Sequence, residues 1–187
     1  MRVVAGEYKS RTVKSPKGVN IRMTLDKVKE AIFDILGNSV EGSAFLDLYA
    51  GSGNVGIEAI SRGAERVFFV DNNPKCVKTI EGNLNSLGLL GLEKCQVLFY
   101  EAFKAVDYFK KNNIKFDFVF IDPPYYKEIA KKTLNYISDC AILHRNAFVL
   151  VEHYKKDELP QSCGKLSLAK ARAYGDTVLS FFKVADA

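Results

Sequence analysis

The tetrapeptide Asp122-Pro123-Pro124-Tyr125 places one carboxylate, two rigid prolines and one aromatic ring side by side. It directly follows the run 116–121, whose aromatic and β-branched residues are typical of a buried parallel strand. Because prolines cannot continue a hydrogen-bonded ladder, the tetrapeptide lies at the carboxyl end of that strand. Ligands bind at this edge of open α/β sheets, so the pattern predicts a site, although a proline-stiffened turn is the alternative interpretation.

Such a loop is suited to hold a planar amine. The exocyclic nitrogen of guanine or adenine is a poor nucleophile because its lone pair is delocalised into the ring. If the Asp122 carboxylate and the Pro123 carbonyl accept its two N–H protons, the lone pair is freed for an electrophile. Tyr125 offers a stacking face worth about 1–3 kcal/mol, comparable with the cost of extruding a base.

A second motif, residues 47–56 with the letters DLYAGSGNVG, lies where a predicted strand runs into a helix. Asp71 ends the next strand, twenty positions after Gly51, which satisfies the dinucleotide fingerprint and keeps a nicotinamide oxidoreductase open. Asp47 argues against it, because a pyrophosphate at the helix start would meet a like charge. S-adenosylmethionine carries an ammonium and a sulfonium but no phosphate, and we expect it as the cofactor.

With these motifs, the chain resembles the class I methyltransferases that act on exocyclic amines. Within that group it is similar to the bacterial RsmD-like family, which methylates N2 of guanine 966 in 16S ribosomal RNA. The resemblance covers nearly the whole chain and implies a 16S rRNA partner, presented within a small-subunit particle. Three further segments carry it: Arg2-Val3-Val4-Ala5-Gly6, Arg22-Met23-Thr24 followed by residues 26–31, and Tyr174-Gly175-Asp176-Thr177.

The motifs, the charge pattern and the resemblance together assign roles to individual residues. The cofactor residues approach the ammonium, the methionyl chain, the ribose and the adenine of the donor, and we expect no metal ligand. The predicted catalytic residues are Asp122, Pro123, Pro124 and Tyr125; the cofactor residues are Asp47, Tyr49, Gly51, Gly53, Asp71, Asn72, Glu101 and Ala102; the RNA-binding residues are Arg2, Arg11, Lys14, Arg22 and Thr24.

The net positive charge of the chain lies at its amino terminus. Residues 1–30 hold eight Lys or Arg and three acids, a surplus that equals the formal net charge of +5, so the remaining residues balance. Gly, Ser and Pro interrupt this basic segment, as in an arm that follows phosphates, whereas a solvated basic surface is the alternative. We therefore expect residues 1–37 to form an RNA-binding extension of a single methyltransferase domain, 1–187.

The predicted architecture is α/β: a Rossmann-like, seven-stranded, mostly parallel sheet with one antiparallel strand and helices on both faces. A small β-hairpin (3–7 and 12–14) and a helix (25–36, with Thr24 as N-cap) precede it. The last two strands are joined by a short turn and form the antiparallel pair. Predicted strands are 44–48, 66–70, 96–100, 116–121, 147–152, 166–173 and 178–184; predicted helices are 55–61, 74–87, 102–111 and 127–139.

Composition narrows the remaining classes. No apolar run approaches the ~20 residues of a membrane helix, and the amino terminus has no apolar signal region, so we expect a cytoplasmic protein. We also expect it to be a monomer. Four scattered cysteines argue against structural zinc and a disulfide framework. A DNA adenine-N6 or protein-glutamine methyltransferase shares the tetrapeptide chemistry, but a DNA enzyme would need a target-recognition insertion for which this chain has no spare length. A non-catalytic RNA-binding module is the last alternative.

Overall fold

The structure is a computed structural model of the chain and describes residues 1–19, 26–124 and 128–185. In these ranges one eight-stranded sheet has the order β3-β2-β1-β4-β5-β8-β7-β6. The strands from β3 to β5 in this order are parallel; β8 is antiparallel to β5 and β7, and β6 to β7. The strands are β1 Ala44–Asp47, β2 Arg66–Asp71, β3 Cys95–Phe99, β4 Phe116–Ile121, β5 Leu143–Tyr154, β6 Ser162–Cys163, β7 Leu166–Tyr174 and β8 Thr177–Val184.

Helices cover both faces of this sheet. One apolar core joins α1, α2 and α3 to one face, and a second core joins α4 and α5 to the other. Each face is therefore buried, which is why the parallel strands are apolar along nearly their whole length. The helices are α1 Asp26–Leu36, α2 Asn54–Ser61, α3 Pro74–Ser86, α4 Ala102–Lys111 and α5 Ile129–Asp139, and a short 3-10 turn spans Gly37–Val40.

The predicted α/β fold is confirmed, with two corrections. The sheet has eight strands instead of seven, because the two-residue β6 folds back on the start of β7 through Gly164, whose φ is +53°. The amino-terminal hairpin pairs residues 1–3 with residues 10–13, instead of 3–7 with 12–14, through three backbone hydrogen bonds and an antiparallel bridge between Arg2 and Thr12. The predicted N-cap Thr24 lies outside the described residues. No helix in those ranges is long and apolar enough to cross a membrane.

Candidate active site

The strand register brings the two predicted motifs to one edge of the sheet. β1 lies between β2 and β4, with Asp47 opposite Phe69 on one side and Phe120 on the other. Asp71 and Asp122 each follow two residues after these partners. Both aspartates therefore lie at the same level beyond the end of β1, about 10 Å apart across two strand spacings, with the glycine loop between them.

The glycine loop is held in place by both neighbouring strands. Leu48 donates its N–H to the Phe120 carbonyl (3.0 Å) and Ala50 to the Val70 carbonyl (2.9 Å), which extends the pairing beyond β1. Gly53 caps α2 with φ +75°, a left-handed conformation that glycine adopts without strain. A Cβ on Gly56 would lie 2.3 Å from Cε1 of Phe69, so only glycine lets α2 pack this closely on the sheet.

Asp47 faces the first turn of α2. Its side chain is 2% exposed, and Oδ2 accepts a hydrogen bond from the Gly56 N–H at 3.0 Å. Burial raises the pKa of Asp47 to about 7; the Gly56 N–H opposes this shift and the charge of Asp71 adds to it. The carboxylate therefore orders the loop, and its predicted contact with the donor's ammonium stays a prediction.

We expect Asp47→Asn to remove a pH dependence of stability. Because the folded pKa is raised above that of the unfolded chain, the native state retains a proton that the unfolded state has lost, and this contribution to stability falls as pH rises from about 4 to 7. The introduced amide can still accept from Gly56 but never ionises. Urea unfolding at pH 5 and pH 8 should show the stability of the variant relative to wild type rising by up to roughly 3 kcal/mol at the higher pH, since about two pH units separate pH 5 from the folded pKa. If the free energies of unfolding of variant and wild type differed by the same amount at pH 5 and pH 8, this prediction would be wrong.

Asp71 links the glycine loop to the start of α3. Its Oδ2 accepts from the Gly51 N–H and its Oδ1 from the Asn73 N–H, both at 2.8 Å. Burial raises the pKa of Asp71, and these N–H groups and the Cys76 thiol oppose the shift. With the Asn72 N–H, which also contacts it, the carboxylate has four partners in the protein, and its predicted contact with the ribose hydroxyls stays a prediction. Asn72, the next residue, is exposed at the same edge.

The remaining predicted cofactor residues lie along the same edge of the sheet. The Tyr49 hydroxyl shares a 2.8 Å hydrogen bond with Oγ1 of Thr133 on α5, which directs its ring to that side of the sheet. Glu101 is the exposed N-cap residue of α4, and its side chain makes no capping hydrogen bond, while Ala102 is buried. The Glu101 carboxylate is therefore available for the predicted contact with an adenine.

The tetrapeptide begins where the sequence predicts. Asp122 is half-buried, Pro123 is buried and Pro124 is exposed, directly after the last residue of β4. Tyr125 lies outside the described residues, as do Arg22 and Thr24 of the predicted RNA-binding set. The structure thus brings Asp122 and Pro123 to the edge shared with the cofactor residues.

A buried polar network, which sequence reasoning missed, attaches the amino-terminal segment to α2. The Glu58 carboxylate, 0% exposed, accepts from the N–H groups of Val4 (2.8 Å) and Ala5 (2.9 Å). It also pairs with Arg62 (2.9 Å) and with Lys29 (3.2 Å), whose Nζ donates to the Arg2 carbonyl at 2.7 Å. The bonds to Glu58 hold Val4 and Ala5, which the sequence places in the first strand of the hairpin. A signal existed: Lys29 interrupts the apolar stripe formed by Ile32, Phe33 and Leu36.

The rest of the amino-terminal segment follows α3 towards the edge of the sheet that carries Asp71 and Asp122. The Arg11 guanidinium donates to the Ser86 carbonyl (2.8 Å), and the Lys14 N–H donates to Oδ1 of Asn83 (2.9 Å). A Cβ on Gly18 would lie 3.7 Å from Nζ of Lys75, at the opposite end of the helix. Exposed basic residues therefore run along α3 to the end that carries Asp71. They are Arg11, Lys14, Lys17, Lys75 and Lys78, and Arg2 is also exposed.

The chain is similar to known proteins over nearly its whole length. The family model described as "Conserved hypothetical protein 95" matches residues 1–183. The chain is 38% identical to "Putative rRNA methyltransferase YlbH" of Bacillus subtilis, over 98% of both chains. It is 31% identical to "Ribosomal RNA small subunit methyltransferase D" of Buchnera aphidicola, over 84% of this chain and 80% of that one.

Two solved structures extend the comparison. A "putative methylase" from Haemophilus influenzae has a TM-score of 0.81 at 28% identity, covering 99% of this chain and 98% of that chain. An RNA methyltransferase from Salinibacter ruber, solved with S-adenosyl-L-homocysteine, has a TM-score of 0.67, covering 89% of this chain and 95% of that one. Its 13% identity supports the fold alone. The matched family model and the two curated relatives together establish that this chain belongs to the conserved hypothetical protein 95 family of rRNA methyltransferases.

Proposed function

We propose that this protein transfers a methyl group from S-adenosylmethionine to the exocyclic N2 of a guanine in small-subunit ribosomal RNA. The observation that carries this proposal is that Asp71, at the end of β2, and Asp122, directly after β4, lie at the same level on either side of β1. One aspartate borders the loop suited to the donor, and the other begins the tetrapeptide suited to the amine. The names of the curated relatives support rRNA as the substrate class.

The described residues fit S-adenosylmethionine. The glycine loop presents backbone rather than side chain at Gly51 and Gly53, and the Asp71 carboxylate lies directly beside it through its bond from the Gly51 N–H. The cofactor supplies a methyl group on a positively charged sulfur. Asp47 and Asp71 place two acidic groups beside the loop; a bound cation stabilises their ionised forms, whereas a pyrophosphate would be repelled by them. This argument supports a methyl donor over a dinucleotide.

The protein's part in the transfer is to bind and orient the amine. Asp122 and the Pro123 carbonyl accept the two N2–H protons, which frees the nitrogen lone pair for the methyl group. Bound S-adenosylmethionine would supply that methyl group and leave as S-adenosylhomocysteine, and Asp122 would take one N2 proton and pass it to water. The ring of Tyr125 is proposed to stack on the extruded base. No covalent intermediate with the enzyme is required.

RNA binding is proposed for residues 1–37, with a surface extended by α3. Arg11, Lys14 and Lys17 lie on the segment that follows α3, and Lys75 lies where that segment reaches this edge of the sheet. A phosphate backbone bound along this line would lead to the edge that carries Asp71 and Asp122. Arg2, Arg22 and Thr24 complete the proposed contacts, and we propose that the substrate is a small-subunit particle and that the protein acts as a monomer.

We expect the double change Arg11→Gln and Lys14→Gln to weaken RNA binding and to flatten its salt dependence. Each phosphate that the variant no longer binds should lower the slope of log affinity against log salt by about 0.7–0.9. Affinity titrations of small-subunit rRNA at several salt concentrations measure it. Lys110→Gln with Lys111→Gln is the matched control, since these exposed lysines lie at the end of α4, on the other face of the sheet. If the first variant kept the wild-type slope, Arg11 and Lys14 would not contact RNA phosphates, and the proposed RNA surface of the amino-terminal segment would be wrong.

Mass spectrometry of nucleosides from the 16S rRNA of a deletion strain tests the function directly. The expected result is the loss of one N2-methylguanosine, restored by the wild-type gene and, in vitro, by the purified protein with S-adenosylmethionine and undermethylated particles. If a different methylated nucleoside were lost instead, that nucleoside and not the N2 of guanine would be the target. An unchanged nucleoside profile would overturn the proposal.

A further inference from the structure

Asn54 is the first residue of α2 and follows Gly53 of the glycine loop. Its side chain is 4% exposed, and its Oδ1 accepts a hydrogen bond from Nζ of Lys29 at 2.8 Å. The other half of the amide, Nδ2, has no hydrogen-bond partner in the part of the chain that the structure describes. A buried donor without an acceptor is costly, which makes an acceptor supplied by a ligand the natural explanation.

The surroundings of Nδ2 favour an anionic acceptor. The start of a helix carries partial positive charge from its unpaired N–H groups, and a carboxylate is stabilised there. The bond from the Lys29 ammonium to Oδ1 polarises the amide and makes its N–H a stronger donor. Lys29 is 0% exposed and held by Glu58 and the Arg2 carbonyl, so it stays behind Asn54.

A hydrogen-bond acceptor and a hydrogen-bond donor therefore lie close together at the first turn of α2. Asp47 contacts the turn at Gly56 with a carboxylate, and Asn54 presents an amide donor at its start. The methionyl part of S-adenosylmethionine is a zwitterion with one ammonium and one carboxylate. In this zwitterion the two groups share one α-carbon. They match a site in which the acceptor, Asp47, contacts the first turn of α2 and the donor, Asn54, lies on that turn.

We propose that Asn54 Nδ2 binds the carboxylate of the donor's methionyl part and that Lys29 acts behind it as a positioning residue. This inference rests on the proposed use of S-adenosylmethionine. It assigns the carboxylate end of the donor to a residue outside the predicted cofactor set. It also gives the buried Lys29 a role beyond attaching the amino-terminal segment.

Calorimetric binding of three ligands to the full chain tests it: S-adenosylhomocysteine, its decarboxylated analogue and 5′-methylthioadenosine. Wild type should bind S-adenosylhomocysteine at least about tenfold more tightly than the decarboxylated analogue, as expected for a hydrogen bond to a charged group. Asn54→Asp is nearly isosteric, can accept from Lys29 and suits the start of a helix. Its carboxylate repels that of the ligand, so the preference should be abolished or reversed, while affinity for 5′-methylthioadenosine stays within about threefold.

Two further variants make the test specific. Asn54→Ala, which lacks donor and charge, should reduce the preference to about twofold. Asn73→Asp is the matched control: it adds the same charge at the cap of α3, on the ribose side, and should keep the wild-type preference. Wild-type preference retained in Asn54→Asp, or equal binding of all three ligands by wild type, would overturn this proposal alone. Binding of none of them by wild type would overturn the donor assignment as well.

Discussion

Replacing Asp122 with Ala is expected to lower kcat by about 10²–10³-fold while the affinity for S-adenosylmethionine stays within about twofold. The proposed carboxylate acts on the amine as positive charge develops on nitrogen, and removing one such electrostatic contact typically costs this much. Donor affinity should survive because the loop that is proposed to hold the donor is fixed by other bonds, among them Gly51 N–H to Asp71. Single-turnover methylation of small-subunit particles and calorimetry measure the two quantities.

Asp71→Asn provides the matched control for this prediction. The two aspartates lie at the same level on the strands flanking β1, so a general disturbance of the edge would affect both variants alike. We expect the Asp71 variant to show the reverse pattern: weaker donor binding and near-normal kcat at saturating donor. If Asp122→Ala weakened donor binding as strongly as Asp71→Asn, or kept substantial turnover, the division of roles would be wrong.

Asp122→Asn separates charge from hydrogen bonding at the same position. An amide keeps one acceptor oxygen but removes the negative charge and directs an NH2 group at the substrate amine in one of its two orientations. We expect an activity between those of wild type and Asp122→Ala. Activity equal to wild type would show that the carboxylate's charge does not contribute to the transfer.

The sheet was predictable because its strands carry their own signal. The apolar run 116–121 has the observed bounds of β4, and the helix predicted at 102–111 matches α4. Buried parallel strands must be apolar on both faces, which leaves a continuous run in the sequence. β5 is longer than predicted: its first residues pair with β4 only through an irregular register between Phe116 and Phe118, which no local pattern encodes.

The attachment of the amino-terminal segment was not predictable in the same way. Its alternating apolar residues, Val3 and Val13 among them, are buried as a hairpin would require. The acceptor of the Val4 and Ala5 N–H groups lies more than fifty residues away on α2, where the sequence alone gives Glu58 the pattern of an ordinary surface carboxylate. Asp47 shows the same limit, since the sequence gives its position at the edge but not the turn of its side chain towards Gly56. Both details depend on contacts that form only once the sheet and α2 are packed.

Gly6→Ala is expected to detach the amino-terminal segment and thereby to abolish most of the RNA affinity. Gly6 has a φ of +83°, and a Cβ there would lie 1.7 Å from the Ser61 carbonyl oxygen, which accepts the Glu7 N–H at 2.8 Å. Since backbone occupies that space, residues 5–8 must move away from α2. Glu58 would then lose the N–H groups of Val4 and Ala5 but keep Lys29 and Arg62, and each lost hydrogen bond to a charged group typically costs about 1.5–3 kcal/mol.

Gly42→Ala is the matched control for that change. Gly42 has a similar φ of +72°, but a Cβ there would meet nothing within 4 Å, so the substitution carries only the strain of a left-handed alanine, about 1–2 kcal/mol. Urea unfolding and RNA titration of both variants should therefore show a larger loss of stability and a flatter salt dependence for Gly6→Ala alone. S-adenosylhomocysteine binding should persist in both, because the glycine loop is held by β2 and β4. Equal RNA affinity in the two variants would mean that docking of the segment on α2 does not present its basic residues to RNA.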